Sequence, residues 1–172
     1  MKGIFFGAFN PIHEGHILFA QMAKQQFNLE DIVYILKTGK DENSRKEILN
    51  LCIDGQVCDR SFKSLRQAVT ELKEELGPTA ILIGAEDFSE IDEDTLKILG
   101  ASNNFIIALV GEDSGELAVP LAKKLGINAE YIPAAVSSPT STKIRKAIKE
   151  NKQPIGLNDE VLEYIKSKKL YE

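Results

Sequence analysis

The sequence predicts an α/β fold, an open and mostly parallel sheet with helices on both faces. Three observations predict it. Short apolar, β-branched runs alternate along the whole chain with stretches whose apolar residues recur at intervals of three and four. Two of those runs, Gly3–Phe6 and Thr79–Ile83, are apolar almost throughout, the pattern of strands covered on both faces. Glycine, proline and asparagine punctuate the junctions, with no internal repeat and no low-complexity segment. At 172 residues and 43% hydrophobic content, the chain suits one domain, 1–172, with a sizeable core.

Gly3–Phe6 is the first strand, and Ile17, Phe19, Ala20, Ala23 and Phe27 mark a helix that ends near Phe27–Asn28. Asp31–Leu36 is the second strand, and the resulting βαβ unit is right-handed with its strands side by side. The polar stretch Lys37–Ser44 reads as a mobile loop at the C-terminal edge of the sheet, where ligands of open α/β sheets bind. A helix over Ser44–Leu51 turns Arg45, Lys46 and Glu47 to solvent and Ile48, Leu49 and Leu51 inward. Cys52–Asp59 is ambiguous. Ser61 can cap a helix running to Leu76, with Leu65, Ala68, Val69 and Leu72 as its apolar stripe, Arg66 facing solvent and Gly77-Pro78 as its stop. Asn104–Val110 is a further strand, the Gly111–Gly115 turn leads into a helix ending at Gly126, and Ala129–Ile132 is the last short strand. After Pro139, Thr140 or Ser141 can cap a helix that buries Ile144, Ala147 and Ile148. Asn158–Tyr171 is amphipathic, with Val161, Leu162 and Ile165 inward.

A net charge of −5 argues against a broad nucleic-acid surface, so a phosphate ligand must be held by a local positive site. The two cysteines, six apart, suit a reducing compartment. There is no charged-then-apolar leader and no run of about 18 apolar residues, so neither secretion nor a membrane span is expected and the cytoplasm is the expected location. A homo-oligomer is compatible with the sequence, whose associating face is not distinguishable from core.

The only two histidines of the chain, His13 and His16, both fall in the strand–turn–helix stretch Gly7-Ala-Phe-Asn-Pro-Ile-His-Glu-Gly-His16. The turn delivers them to neighbouring positions at a helix start, where free backbone N–H groups, the positive end of the helix dipole and two imidazoles can all face an oxyanion. The plainer alternative is that His16 caps or packs near the helix start while His13 is a loop residue. Zinc is disfavoured, because no third histidine exists and Cys52 and Cys58 lack metal-like spacing. A second cluster, Lys143, Arg145 and Lys146, sits in the first turns of the helix after Pro139, where cations oppose the dipole unless a polyanion is bound. Ser141, Thr142 and the Arg145 fork could then converge on phosphate oxygens; a basic, solvated helix with a hydroxyl cap is the alternative. Gly84 with Glu86 or Asp87 ends the central strand, either near a ribose or simply as a helix cap. Lys37 and Lys40 can reach a phosphate, or be ordinary solvated lysines.

The first stretch resembles the Gly-x-Phe-Asp/Asn-Pro-x-His-x-Gly-His signature of the nucleotidylyltransferase superfamily. Thr140-Ser-Thr-Lys-Ile-Arg145 resembles its Ser-Ser-Thr-x-Ile-Arg motif, and Ile83-Gly-Ala-Glu86 its Ile-Gly-Ala-Asp segment. With a C-terminal stretch like theirs, the chain looks most similar to bacterial nicotinate-nucleotide adenylyltransferases. That resemblance implies a Rossmann-like fold and adenylyl transfer from ATP to nicotinate mononucleotide, with Mg²⁺ on the phosphates and pyrophosphate released. It further implies that His13, His16 and Arg145 act on the phosphates and the developing charge. Gly7, Ala8, Phe9, Gly15, Ser141 and Thr142 would form the phosphate site and Gly84, Glu86 and Asp87 would lie near the adenosine; Lys37 and Lys40 are substrate candidates by their place at the sheet edge alone, and none of these is a protein metal ligand.

The chain departs from the family at Ala8, where Ser or Thr is usual, in the absence of tryptophan, and in the 37–44 stretch, which lacks a Pro-Pro-His-Lys-like segment. Nicotinamide mononucleotide or phosphopantetheine as acceptor, and a catalytically silent ATP-binding protein, are the other readings. Phe88, Tyr34 or Phe105 could stack on a base, though each is more simply core.

Overall fold

Strand β1 (Lys2–Gly7) occupies the middle of the sheet, and the chain builds outward from it twice. In the computed structural model, which describes residues 1–110, 115–134 and 140–172, α1 (Glu14–Gln26), β2 (Ile32–Leu36), α2 (Glu42–Cys52) and β3 (Gln56–Val57) extend one half. After α3 (Leu65–Leu76) crosses back, β4 (Thr79–Gly84), α4 (Ala85–Glu90), α5 (Glu93–Gly100), β5 (Asn104–Val110), α6 (Gly115–Lys124) and β6 (Ala129–Ala134) extend the other. Helices α7 (Ser141–Lys149) and α8 (Asp159–Ser167) follow. The strand order is β3-β2-β1-β4-β5-β6, with every pairing parallel.

Side chains alternate across the pleat. Phe5, Tyr34, Leu82 and Ile106 pack with residues of α1, α2, α7 and α8 on one face. Ile4, Ile35, Ile81, Ile83, Phe105 and Ile107 pack with residues of α3, α4, α5 and α6 on the other. Both faces are covered, so the central strands β2, β4 and β5 are apolar almost throughout. Tyr34, Phe88 and Phe105 are core residues, which removes them as base-stacking candidates.

The order reverses between β1 and β4, the switch point beside which open parallel sheets hold ligands. Phe5 lies opposite Leu82, and that register brings Gly7 and Gly84 side by side at the C-terminal edge.

Three expectations need correction, and one ambiguous stretch is resolved. The 37–44 stretch is a tied loop: Lys37 N–H donates to the Gly7 carbonyl at 2.8 Å, Thr38 N–H to Phe62 at 2.9 Å, and α2 already begins at Glu42. Arg45 is 2% exposed and Leu51 44% exposed, the reverse of the expected facing. The cap of α3 is Ser64, whose hydroxyl accepts from Gln67 N–H, because the buried Phe62 pairs alongside β2 and keeps 61–63 out of the helix. Cys52–Asp59 contributes the short edge strand β3. The α3 stop is as expected: Gly77 takes φ 66, a left-handed conformation open to glycine. The Gly111–Ser114 part of the expected turn and Val136–Pro139 lie outside the described residues.

Candidate active site

β1 ends at Gly7, and the chain folds over its own strand before α1 begins. Phe9 adopts φ 44 and buries its ring, which would lie 3.3 Å from a β-carbon placed at Gly7. A side chain there would press on the buried Phe9 ring, so the close approach favours glycine. The Phe9 ring stands edge-on to Phe5 and to His16, centroids 5.1 and 5.3 Å apart, so this residue offers a ligand only its backbone. Ala8 is exposed at the tip.

His13 caps α1. Its Nδ1 accepts from Gly15 N–H at 3.1 Å, while His16 Nδ1 accepts from His13 N–H at 3.2 Å, a reciprocal capping box with the two rings stacked 3.8 Å apart. The amides of His16 and Ile17 donate to the His13 carbonyl, and that of Glu14 to Gly156. The expectation of free N–H groups at this helix start is thus overturned, Gly15 included: the amides are consumed internally. What α1 still offers an oxyanion is its dipole and two imidazole edges.

Both Nδ1 atoms accept hydrogen bonds, so each neutral ring carries its proton on Nε2. Burial lowers His13 to about 4; burial first, and then the charge of His13, lower His16 to about 3. At pH 7 both are neutral Nε2–H donors. Because the unfolded chain titrates near 6.5, it binds more protons than the folded one below that pH, and stability falls as pH drops from about 6.5 toward 4. Thermal unfolding at pH 5 is expected at a lower midpoint than at pH 7. A His13→Gln/His16→Gln double variant should lose less over the same interval; equal losses would count against this assignment.

Helix α7 docks directly on the turn. Thr140 caps it by accepting from Lys143 N–H, Ser141 Oγ donates to the Pro11 carbonyl at 2.9 Å, and Arg145 Nη1 donates to the Asn10 carbonyl at 2.6 Å. Thr142 is exposed beside the second guanidinium nitrogen, 3.4 Å from it. The two motifs form one site, although part of the Arg145 fork and the Ser141 hydroxyl join them rather than pointing at solvent.

At the neighbouring strand end, Gly84 precedes α4 without any side-chain cap, so neither Glu86 nor Asp87 caps this helix; both are exposed in its first turn. Although Asp87 is exposed as a residue, its carboxyl is partly desolvated, which raises it above its ordinary value; Glu90 and Glu86 add to this and the charge of Lys37 opposes it. Lys37 and Lys40 are both exposed.

Two residues without a motif complete the arrangement. Arg45 donates from Nη1 to Ala8 and Lys37 carbonyls at 2.8 and 2.9 Å and from Nε to Lys40 at 2.8 Å, tying the turn to the loop. Its burial was legible in the spacing, since Arg45, Ile48 and Leu49 occupy one helical face. Tyr171 donates to Asn10 Oδ1, a contact with no local signal.

Residues 4–147 match the family model of the cytidylyltransferase-like proteins. Among curated relatives, the probable nicotinate-nucleotide adenylyltransferase of Clostridium botulinum strain Hall is 30% identical over 99% of this chain and 98% of its own length. That of Agrobacterium fabrum is 33% identical over 44% of this chain and 40% of its own length. The solved structure of Plasmodium falciparum nicotinic acid mononucleotide adenylyltransferase complexed with APC shares the fold, with a TM-score of 0.76 and 16% identity over 99% of this chain and 96% of that one. Since the family match takes in the sheet, the histidine turn and α7 as far as Arg145, this chain belongs to the cytidylyltransferase-like family and is a nucleotidyltransferase.

Proposed function

We propose that this enzyme transfers the adenylyl group of ATP to nicotinate mononucleotide, giving deamido-NAD and pyrophosphate. The observation that carries the reading is the docking of Ser141 and Arg145 on the turn that holds His13 and His16. A full-length relative named for this activity supports the choice of acceptor.

The attacking phosphate oxygen is already anionic at pH 7, so no general base is needed; the protein aligns the nucleophile and stabilises charge. His13 and His16 donate Nε2–H hydrogen bonds to the transferring group and the bridging oxygen. The start of α7, with Thr142 and the outer nitrogen of Arg145, receives the leaving pyrophosphate. Gly7 and Ala8 let the chain pass close to the phosphates, and Gly84, Glu86 and Asp87 border the nucleoside. Lys37 and Lys40 supply positive charge for the acceptor phosphate. Among the described residues no group of three or more His, Cys, Asp or Glu converges as a metal site. Mg²⁺ would enter as part of the Mg·ATP substrate, held by its phosphates, and would neutralise their charge there.

The burial of Tyr34, Phe88 and Phe105 leaves these rings unable to stack on a pyridine ring, which favours phosphopantetheine as a second reading of the acceptor. Nicotinamide mononucleotide and phosphopantetheine would keep the same chemistry. Pyrophosphate release from Mg·ATP, with the three acceptors in parallel, distinguishes them. Release with nicotinate mononucleotide alone is expected. Release with another acceptor would retain the mechanism and change the product, and ATP binding without release would leave a silent binding protein.

A further inference from the structure

The segment after α8 returns to the histidine turn, joining residues 161 apart in sequence. Helix α8 closes with Lys169 at φ 53 and the Leu170 N–H donating to Ile165 at 3.0 Å, a regular helix ending that seats Leu170 in the core. Tyr171 then takes a second left-handed conformation, φ 64, which no helix ending requires. A side chain held in this region needs contacts that over-determine it. Here the contact is the phenol, which donates to Asn10 Oδ1. Burial foremost, with Asp41 adding and Arg145 and Arg45 opposing, raises the phenol to about 12, so it keeps its proton at neutral pH.

Asn10 is consequently gripped twice: Arg145 binds its carbonyl, and Tyr171 binds its side-chain oxygen. An amide whose oxygen is fixed has its NH₂ turned to the opposite side. We propose that Tyr171 is a positioning residue, which acts through Asn10 to hold the turn from Ala8 to His13 in its phosphate-receiving shape. The proposal rests on the reading that this turn receives the ATP phosphates. ATP affinity also draws on α7 and the Gly84 rim, so a loosened turn misaligns the imidazoles more than it weakens ground-state binding.

The test is Tyr171→Phe, which removes one hydroxyl and leaves the ring. Its kcat is expected to fall about tenfold with KM for ATP within about twofold, because misplacement costs alignment rather than affinity. Its Tm should fall by no more than about 4 °C, the worth of one hydrogen bond. In an Asn10→Ala background the same substitution should have no further effect, since the two residues act as a unit. Unchanged kcat, or an undiminished effect in that background, would overturn the proposal. ¹H–¹⁵N spectra of the Asn10 side-chain amide give a readout independent of turnover. A shifted or broadened pair in Tyr171→Phe is expected, and an unchanged pair refutes the proposal. If the wild-type chain releases no pyrophosphate with any of the three acceptors, the proposed reaction fails and the amide pair alone decides the role of Tyr171.

Discussion

His16→Ala is expected to lower turnover by about 10²–10³ while weakening ATP binding only modestly, the signature of a donor aimed at developing charge. Its ring is wedged between Phe9 and the His13 ring, and its Nδ1 is committed to the His13 N–H, so Nε2–H has one fixed direction. Preorganisation of this kind removes the cost of orienting a donor at the moment of reaction. Alanine also deletes half of the capping box, at about 1 kcal/mol, or about 2–4 °C in Tm for a chain of this size. His16→Gln separates the two effects, because a glutamine at this position can reach back to the cap N–H. It should recover most of the lost Tm and little of the lost turnover. Steady-state pyrophosphate release and equilibrium ATP titration of both variants are the measurements. Near-wild-type turnover in His16→Ala would remove His16 from the chemistry.

Arg45→Met should have the largest effect on stability. The methionine retains the bulk of the stem and removes a guanidinium that satisfies the carbonyls of Ala8, Lys37 and Lys40. Each buried carbonyl left without a donor costs about 1–3 kcal/mol, and water can reach part of this set, so the total is about 3 kcal/mol. That corresponds to a fall in Tm of about 6–12 °C. Turnover should fall as well, because the same group holds the tip of the turn that carries His13 and His16 and the loop bearing Lys37 and Lys40. Lysine cannot reproduce the planar fork, so Arg45→Lys should regain only part of either loss. Calorimetric melting decides the matter; a Tm within about 2 °C of wild type would mean that solvent replaces the fork, contrary to its 2% exposure.

The sheet was legible because its signal is local and repeated. Val33 and Ile35 face one side of β2 while Ile32, Tyr34 and Leu36 face the other, and apolar residues at every position leave a strand covered twice as the consistent solution. The start of α7 was equally local, since Thr140 needs only the amide of Lys143, three residues on, to cap it. The position of the histidine pair followed from the turn residues before it. Its internal wiring did not: from sequence a histidine at a helix start can face outward or bond its own amides, and the geometry of His13 and His16 selects the second at Nδ1 while leaving Nε2.

The same contrast governs the remaining residues. Arg45 was assigned to solvent by its charge, although its helical spacing pointed inward. Burying a guanidinium is unfavourable until the sheet edge supplies carbonyls at hydrogen-bond distance, and those belong to Ala8, Lys37 and Lys40, which converge only after β1 and β2 pair. By itself the sequence determined the central strands, the position of the α7 cap and the two family-like motifs, all set by interactions spanning a few residues. Tertiary structure alone decided that Arg145 and Tyr171, 135 and 161 residues beyond Asn10, would grip it from two sides. The physical reason is that such contacts depend on where whole elements come to rest, and no local periodicity encodes that distance.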